Sequence, residues 1–179
     1  MEKSVMVVGI DDSEHSFHAL EWTLQHFFSH TPGNSPYKLV VVHAMPSPAN
    51  AIGFIGPGIF IVKLLIIFIF KFNNDQCRAA DVIPYVDRDL KLIATKVLEK
   101  AKEVCTARSV NDAIMEVVQG DAGNVLCEAV EKHHASVLVV GNHGYGAIKR
   151  AVLGSVSDYC AHHAHCSVTI VKRPPKIKD

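Results

Sequence analysis

Net charge is what this chain most plainly lacks: 18 Lys and Arg balance 18 Asp and Glu across 179 residues. Without a field to gather a polyanion, nucleic acid is excluded as the main partner. The basic tail Lys172-Arg173-Pro174-Pro175-Lys176 is read as a solvated terminus. Cysteine is sparse and unpaired in pattern. Cys77, Cys105, Cys127, Cys160 and Cys166 form an odd set with no Cys-x-x-Cys, and no apolar leader follows Met1, so a reducing intracellular compartment is expected. Cys105 and Cys127 fall on apolar helix faces, where a thiol is a small hydrophobe, and no catalytic cysteine is assigned. Two nucleotide fingerprints are missing as well. Gly144-Tyr145-Gly146 has Lys149 where a dinucleotide motif needs its third glycine, and no Gly-Lys-Ser/Thr follows a glycine at P-loop spacing.

What is present is an alternation of strand and helix signals in a length that suits one domain. An apolar strand at 4–11 is followed by a helix from Ser13 to about His30, with Phe17, Leu20, Leu24 and Phe27 on one face and Ser13 placed to cap it. A strand at 38–44 comes next, then an amphipathic helix marked by Leu90, Ile93, Val97, Ala101 and Val104. Ala113 to Val118 reads as a third strand, ended by Gly120, and Asp121 can cap a helix bearing Val125, Leu126, Ala129 and Val130. A strand from Ser136 to Val140, a helix from about Ile148 to His162 and a last strand at 167–172 complete the pattern. Strands of near-continuous Val, Ile and Leu separated by helices imply a parallel sheet covered on both faces.

The stretch Gly141 to Ser157 then stands out, because glycines and hydroxyl residues sit where a buried strand ends and a helix begins. Backbone N–H groups in such a place can point at an anion without side chains in the way, so the segment reads as a phosphate cradle. Lys149 and Arg150 add positive charge, although adjacent helical residues diverge by about 100°, so at most one faces a ligand. His143, inside the loop, can donate to a phosphate, its rival reading being a flexible surface histidine. The rival reading is a glycine-rich connection with no ligand; it accounts for one or two glycines and accounts poorly for the distant Gly154-Ser155 pair.

Gly141, two residues, Gly144, nine residues, Gly154-Ser155 is a spacing that resembles the universal stress protein family. Val5 to Ser13 resembles that family's first strand with its terminal aspartate. Leu39 to Ala44, Gly120-Asp121-Ala122 and Cys166 to Val171 follow in family order, in a form most like small single-domain plant members. The resemblance implies one open, parallel, five-stranded α/β sheet of order 3-2-1-4-5 with helices on both faces, the adenine nucleotide alpha hydrolase-like arrangement. It also implies an ATP site with Mg²⁺ or Mn²⁺ between strands one and four. Carried over position by position, Gly141, Gly144, Gly154 and Ser155, with Val156 and Ser157 continuing onto the helix, fall to phosphate and ribose, beyond a strand closing on Val140. Asp11 falls to a ribose hydroxyl or to the metal, its bland reading being a helix cap. Gly9, Ile10 and Val41 fall to the base pocket, their bland reading being core. The closing strand would be an edge, so a homodimer through it is expected.

Residues Ile59 to Phe72 interrupt this order with a mainly apolar run of about 14 residues, within an insert at about 59–78 of a single domain spanning 1–179. Lys63 and Lys71 lie inside the run, and a spanning helix needs about 20 apolar residues, so membrane insertion is not expected. Removing Ile59 to Arg78 would join Gly58 to Ala79, similar to related plant members. The insert's Ile, Phe, Leu, Lys and Asn have AT-rich codons, which suggests a retained intron. Its position after strand two could obstruct the base side of the crevice. His162, His163, His165 and Cys166 invite a zinc reading, but His162 and His163 diverge on a helix and no second ligand group accompanies them.

The expected function is therefore a cytoplasmic, and also nuclear, ATP-binding stress-response protein. Catalysis is not expected, beyond slow hydrolysis, because no base is poised beside an in-line water. The alternative is a non-nucleotide interaction or chaperone-like module of the same fold, with the insert blocking the site.

Overall fold

Five runs rich in Val, Ile and Leu become the five strands of one sheet. The computed structural model describes residues 3–28, 35–48, 51, 79–142 and 154–174. In chain order the elements are β1 (Ser4–Ile10), α1 (Glu14–Phe27), β2 (Tyr37–Met45), α2 (Ala79–Ala107), β3 (Ile114–Gln119), α3 (Ala122–Lys132), β4 (Ala135–Asn142), α4 (Ser155–His163) and β5 (Ser167–Lys172). The strands are ordered β3-β2-β1-β4-β5 and every pair is parallel. This is the order that the family resemblance implies.

The continuous apolar character of the central strands follows from burial on both faces. On one face Met6, Val8, Leu39, Val41 and Val139 pack with Phe17, Leu20 and Leu24 of α1 and with Val97, Ala101 and Cys105 of α2. On the other, Val7, Val40, Val42, Leu138 and Val140 meet Val125, Leu126 and Ala129 of α3 and Cys160 of α4. The alternation along each strand decides which helices a residue meets, and each buried Val or Leu contributes about 1.5–3 kcal/mol of transfer free energy.

Helix starts are written in the sequence. Ser13, extended at φ −92° and ψ 149°, accepts the Ser16 N–H on its hydroxyl oxygen and starts α1. Asp121 does the same for α3, its Oδ1 accepting from Gly123 N–H at 3.1 Å and Asn124 N–H at 3.3 Å. Both agree with the expected caps.

Two boundaries differ from expectation. The fourth strand does not stop at Val140: Gly141 and Asn142 remain in the sheet, paired with Val171 and Lys172 of β5. The helix expected from about Ile148 does not run through Gly154. That residue is extended, at φ −64° and ψ 152°, and is the N-cap of α4, so the helix starts at Ser155. Residues 148–153, the expected end of the first helix beyond Phe28 and the whole of the 59–78 insert lie outside the described residues. Among the described residues no helix is long and apolar enough to cross a membrane.

Candidate functional site

β1 and β4 lie side by side at the centre of the sheet, while their following helices leave on opposite faces, so a crevice opens beyond their carboxyl ends. In open parallel sheets this is where ligands bind. Here it holds a cavity of about 320 Å³, inside the range of roughly 300–1,000 Å³ common for small-molecule sites.

The cavity gathers most of the described site residues expected from sequence. Gly9, Ile10 and Asp11 come from the end of β1, Val140 and Gly141 from the end of β4, and Gly154, Ser155, Val156 and Ser157 from the start of α4. Residues 11 and 141, from adjacent strands, border it together. His143, Gly144, Lys149 and Arg150 lie outside the described residues.

Val41 is the exception. It packs with Met6, Val8 and α1 on the far face of the sheet, while Val42 and Ala44 line the cavity. The reason is register: Gly9 pairs with Val42, Gly9 faces Leu126 of α3, and so Val42 faces that side and Val41 cannot. Sequence reading also passed over Ser13, Ser16, Ala122 and Leu126, which complete the wall.

The lining is divided. Val42, Ala44, Ala122 and Leu126 make an apolar end, whereas Asp11, Ser13, Ser16, Ser155 and Ser157 bring carboxylate and hydroxyl groups. The Asp11 turn is held tightly by the residues that follow it. Asp11 Oδ1 accepts the Ser13 N–H at 2.9 Å, and the Ser16 hydroxyl oxygen accepts the Asp11 N–H at 3.1 Å. The Ser16 hydroxyl proton is available to the Asp11 carbonyl at 2.9 Å and the Ser13 carbonyl at 3.1 Å. Part of Asp11's purpose is therefore local, in the turn before the helix, while the cap of α1 itself is Ser13 and not Asp11. One carboxylate oxygen serves the turn, at the border of the cavity.

Facing Asp11, α4 starts differently from α1 and α3, because Gly154 supplies no side-chain cap. The Gly154 N–H donates instead to Asn142 Oδ1 at 3.2 Å, and the Ser157 hydroxyl donates to the Gly154 carbonyl at 2.9 Å. Asn142 thereby ties the last residue of β4 to the first turn of α4 across 12 positions. Nothing in the sequence marked it, since a single Asn beside glycines reads as loop. The first turn of a helix carries N–H groups without intrahelical partners and about half a positive charge, which suits an anion.

Gly141 has a second reason to be glycine. A β-carbon on it would strike the His15 carbonyl at the start of α1, so its small size lets α1 settle on β4.

The four described thiols belong to packing, Cys77 lying outside the described residues. Burial pushes Cys105 up to about 11 and Cys160 up to about 12, the latter also raised by Cys127 beside it. Burial raises Cys127 and Cys166 too. None is a thiolate near neutral pH, and the nucleophile in thiol chemistry is the thiolate. The His162 and His163 Nδ1 atoms bond the Asp158 and Tyr159 carbonyls, each at 2.8 Å. Among the described residues no group of three His, Cys, Asp or Glu is arranged around a common metal position.

Solved structures of the same fold include a universal stress protein family protein from Arabidopsis thaliana with AMP bound, at 20% identity and TM-score 0.62, covering 96% of this chain and 92% of that one. Another is a universal stress protein in complex with cAMP, at 24% identity and TM-score 0.60, covering 96% of this chain and 98% of the other. Among curated relatives, Universal stress protein Slr1101 of Synechocystis is 32% identical over 77 residues, 43% of this chain and 70% of that protein. Universal stress protein PHOS32 of Arabidopsis thaliana is 29% identical over 171 residues, covering 93% of this chain and 64% of that protein. The chain thus spans under two thirds of the length of PHOS32. The model of the Universal stress protein family matches residues 62–172, which takes in α2 to β5 and, with them, the β4 and α4 side of the crevice. The chain belongs to the Universal stress protein family.

Proposed function

We propose that this protein binds an adenine nucleotide, ATP together with Mg²⁺ or Mn²⁺, between β1 and β4, and that occupancy serves a stress response. The observation that carries the reading is the start of α4. A helix N-terminus with no side-chain cap opens on the same cavity as the Asp11 turn, so one ligand with an anionic end and a hydroxyl-bearing middle can meet both. The backbone of Ser155, Val156 and Ser157 would take phosphate oxygens. Asp11 would take a ribose hydroxyl or the cation, and Val42, Ala44 and Leu126 would cover the base. The bound AMP and cAMP of the two solved relatives support an adenine nucleotide as the class of ligand.

The reading includes no catalysis. Among the described residues lining the cavity, Asp11 is the single ionisable side chain, and one of its oxygens holds the Ser13 N–H, so any hydrolysis is slow. We place the whole chain in one stress-protein domain interrupted at about 59–78, cytoplasmic and also nuclear in location. Assembly is a homodimer: β5 pairs with β4 on one side, and its free edge would take a second copy.

The test is calorimetric titration of the full chain with ATP, with and without Mg²⁺, beside a form lacking Ile59 to Arg78. Saturable binding by the full chain supports the reading. Binding only after the deletion means that the insert blocks the site, and no binding by either form leaves the interaction-module alternative.

A further inference from the structure

His43 is almost wholly buried, at 6% exposure, yet it is absent from the cavity wall. It follows Val41 by two positions in β2, so it shares the face that α1 and α2 cover. Its Nδ1 lies 2.9 Å from the Ile10 carbonyl oxygen. A carbonyl only accepts, so Nδ1 carries the proton and donates. Ile10 is the register partner of His43 and the last residue of β1, immediately before Asp11. A buried imidazole contributes little apolar burial that a leucine would not, so its specific contribution is this donor.

From this we infer that His43 is a positioning residue for the ligand site: it fixes the strand-terminal carbonyl of Ile10 and, through it, the direction in which the Asp11 carboxylate leaves the sheet. Two clamps then hold one turn. Ser16 grips the Asp11 N–H and carbonyl from α1, and His43 grips the Ile10 carbonyl, the other end of the peptide that carries that N–H, from β2. With both in place the turn that carries Asp11 is held in one arrangement at the cavity wall, where Oδ1 also accepts the Ser13 N–H. Without His43 the peptide between Ile10 and Asp11 is held at one end only, by Ser16 on the Asp11 N–H, and the carboxylate that follows it is set less firmly for a hydroxyl. The inference rests on the nucleotide reading for its ligand, but its structural half stands without one.

The probes are AMP and 2′,3′-dideoxy-AMP, titrated into the wild-type chain and into His43→Leu and His43→Asn. Leu keeps apolar bulk and removes the donor; the Asn carboxamide nitrogen takes the place of Nδ1 and restores it. Wild type should prefer AMP by about 10-fold, as a hydrogen bond from ribose to a carboxylate implies. His43→Leu should bring the two ligands within about 2-fold by losing AMP affinity alone, and His43→Asn should recover most of the preference. A purely structural role would weaken both ligands together, and retained preference in His43→Leu overturns the inference.

If wild type binds neither monophosphate, the nucleotide reading is left to the ATP titration and amide exchange decides the positioning role. The Asp11 and Ser13 amides should then exchange at least about 10-fold faster in His43→Leu, relative to the amides of β3, and at wild-type rates in His43→Asn. Unchanged exchange overturns the positioning role.

Discussion

Gly141 of β4 lies directly against the first turn of α1, so closely that a β-carbon on it would stand 2.7 Å from the His15 carbonyl oxygen and 3.0 Å from the Ser16 nitrogen. The obstacle is backbone, which cannot swing aside as a side chain can. Gly141→Ala should therefore push α1 off the sheet and cost about 1–3 kcal/mol in chemical denaturation. Gly9→Ala meets only the Leu126 methyl groups, at 2.8 and 2.9 Å, and should cost clearly less. Equal losses at the two positions would mean that α1 is not seated on β4 as described.

Asn142 and Gly154 close the base of the glycine segment through a single hydrogen bond of 3.2 Å. Asn142→Ala should weaken nucleotide binding about 5-fold, the equivalent of roughly 1 kcal/mol for one such bond. Asn142→Asp keeps the acceptor but places a negative charge beside the anion site. It should lose more affinity than the alanine variant while melting no lower, which calorimetry and a thermal melt can check together.

Ser109 and His134 hold positive φ, 61° and 48°, just past the ends of α2 and α3. The His134 N–H reaches back to the Glu131 carbonyl at 3.1 Å, and the Ser109 N–H to the Thr106 carbonyl at 2.9 Å, as in helix ends that favour glycine. His134→Gly and Ser109→Gly should each stabilise the fold by about 1 kcal/mol, read as a higher denaturation midpoint at unchanged slope. Alanine at either position should give no such gain.

Glu116 on β3 accepts from Lys132 Nζ at 2.9 Å and from His133 Nε2 at 3.1 Å. Partial burial opposes its charge, yet the hydrogen bonds and positive charges of Lys132 and His133 outweigh that and hold its carboxyl below the usual value. A carboxylate lowered in the folded state stabilises fully above its unfolded value of about 4.3 and loses that contribution as pH falls through the folded value. Glu116→Gln should therefore cost up to about 1 kcal/mol at pH 7, with the gap to wild type closing at acid pH. A gap that stays constant down to pH 3 would assign the effect to shape rather than charge.

Much of the fold was legible because its strands are buried on both sides. Val5 to Ile10, Leu39 to Val42 and Ser136 to Val140 carry their burial in composition alone, and Ser13 and Asp121 announce their helices by capping chemistry. What composition does not carry is which face a residue takes. In an all-valine run such as Val40-Val41-Val42, neighbours look alike, and only the pairing of Gly9 with Val42 puts one in the cavity and the other in the core. The start of α4 is hidden for a related reason: the sequence Ile148 to Leu153 has helical character, whereas the start at Ser155 depends on the extended backbone of Gly154 and on its bond to Asn142. His43 looked like an ordinary strand residue until its nitrogen could be placed against Ile10.

The central claim is that the start of α4 receives the anionic end of a nucleotide, and Ser155→Asp tests it most directly. An aspartate in the first turn favours the helix by about 0.3–1 kcal/mol, while its charge opposes phosphate in the same place. ATP titration and thermal melting of this variant should move in opposite directions, with affinity at least about 10-fold weaker, or roughly 1.4 kcal/mol, and the melting temperature unchanged or higher. Wild-type binding that Ser155→Asp leaves intact would contradict the claim.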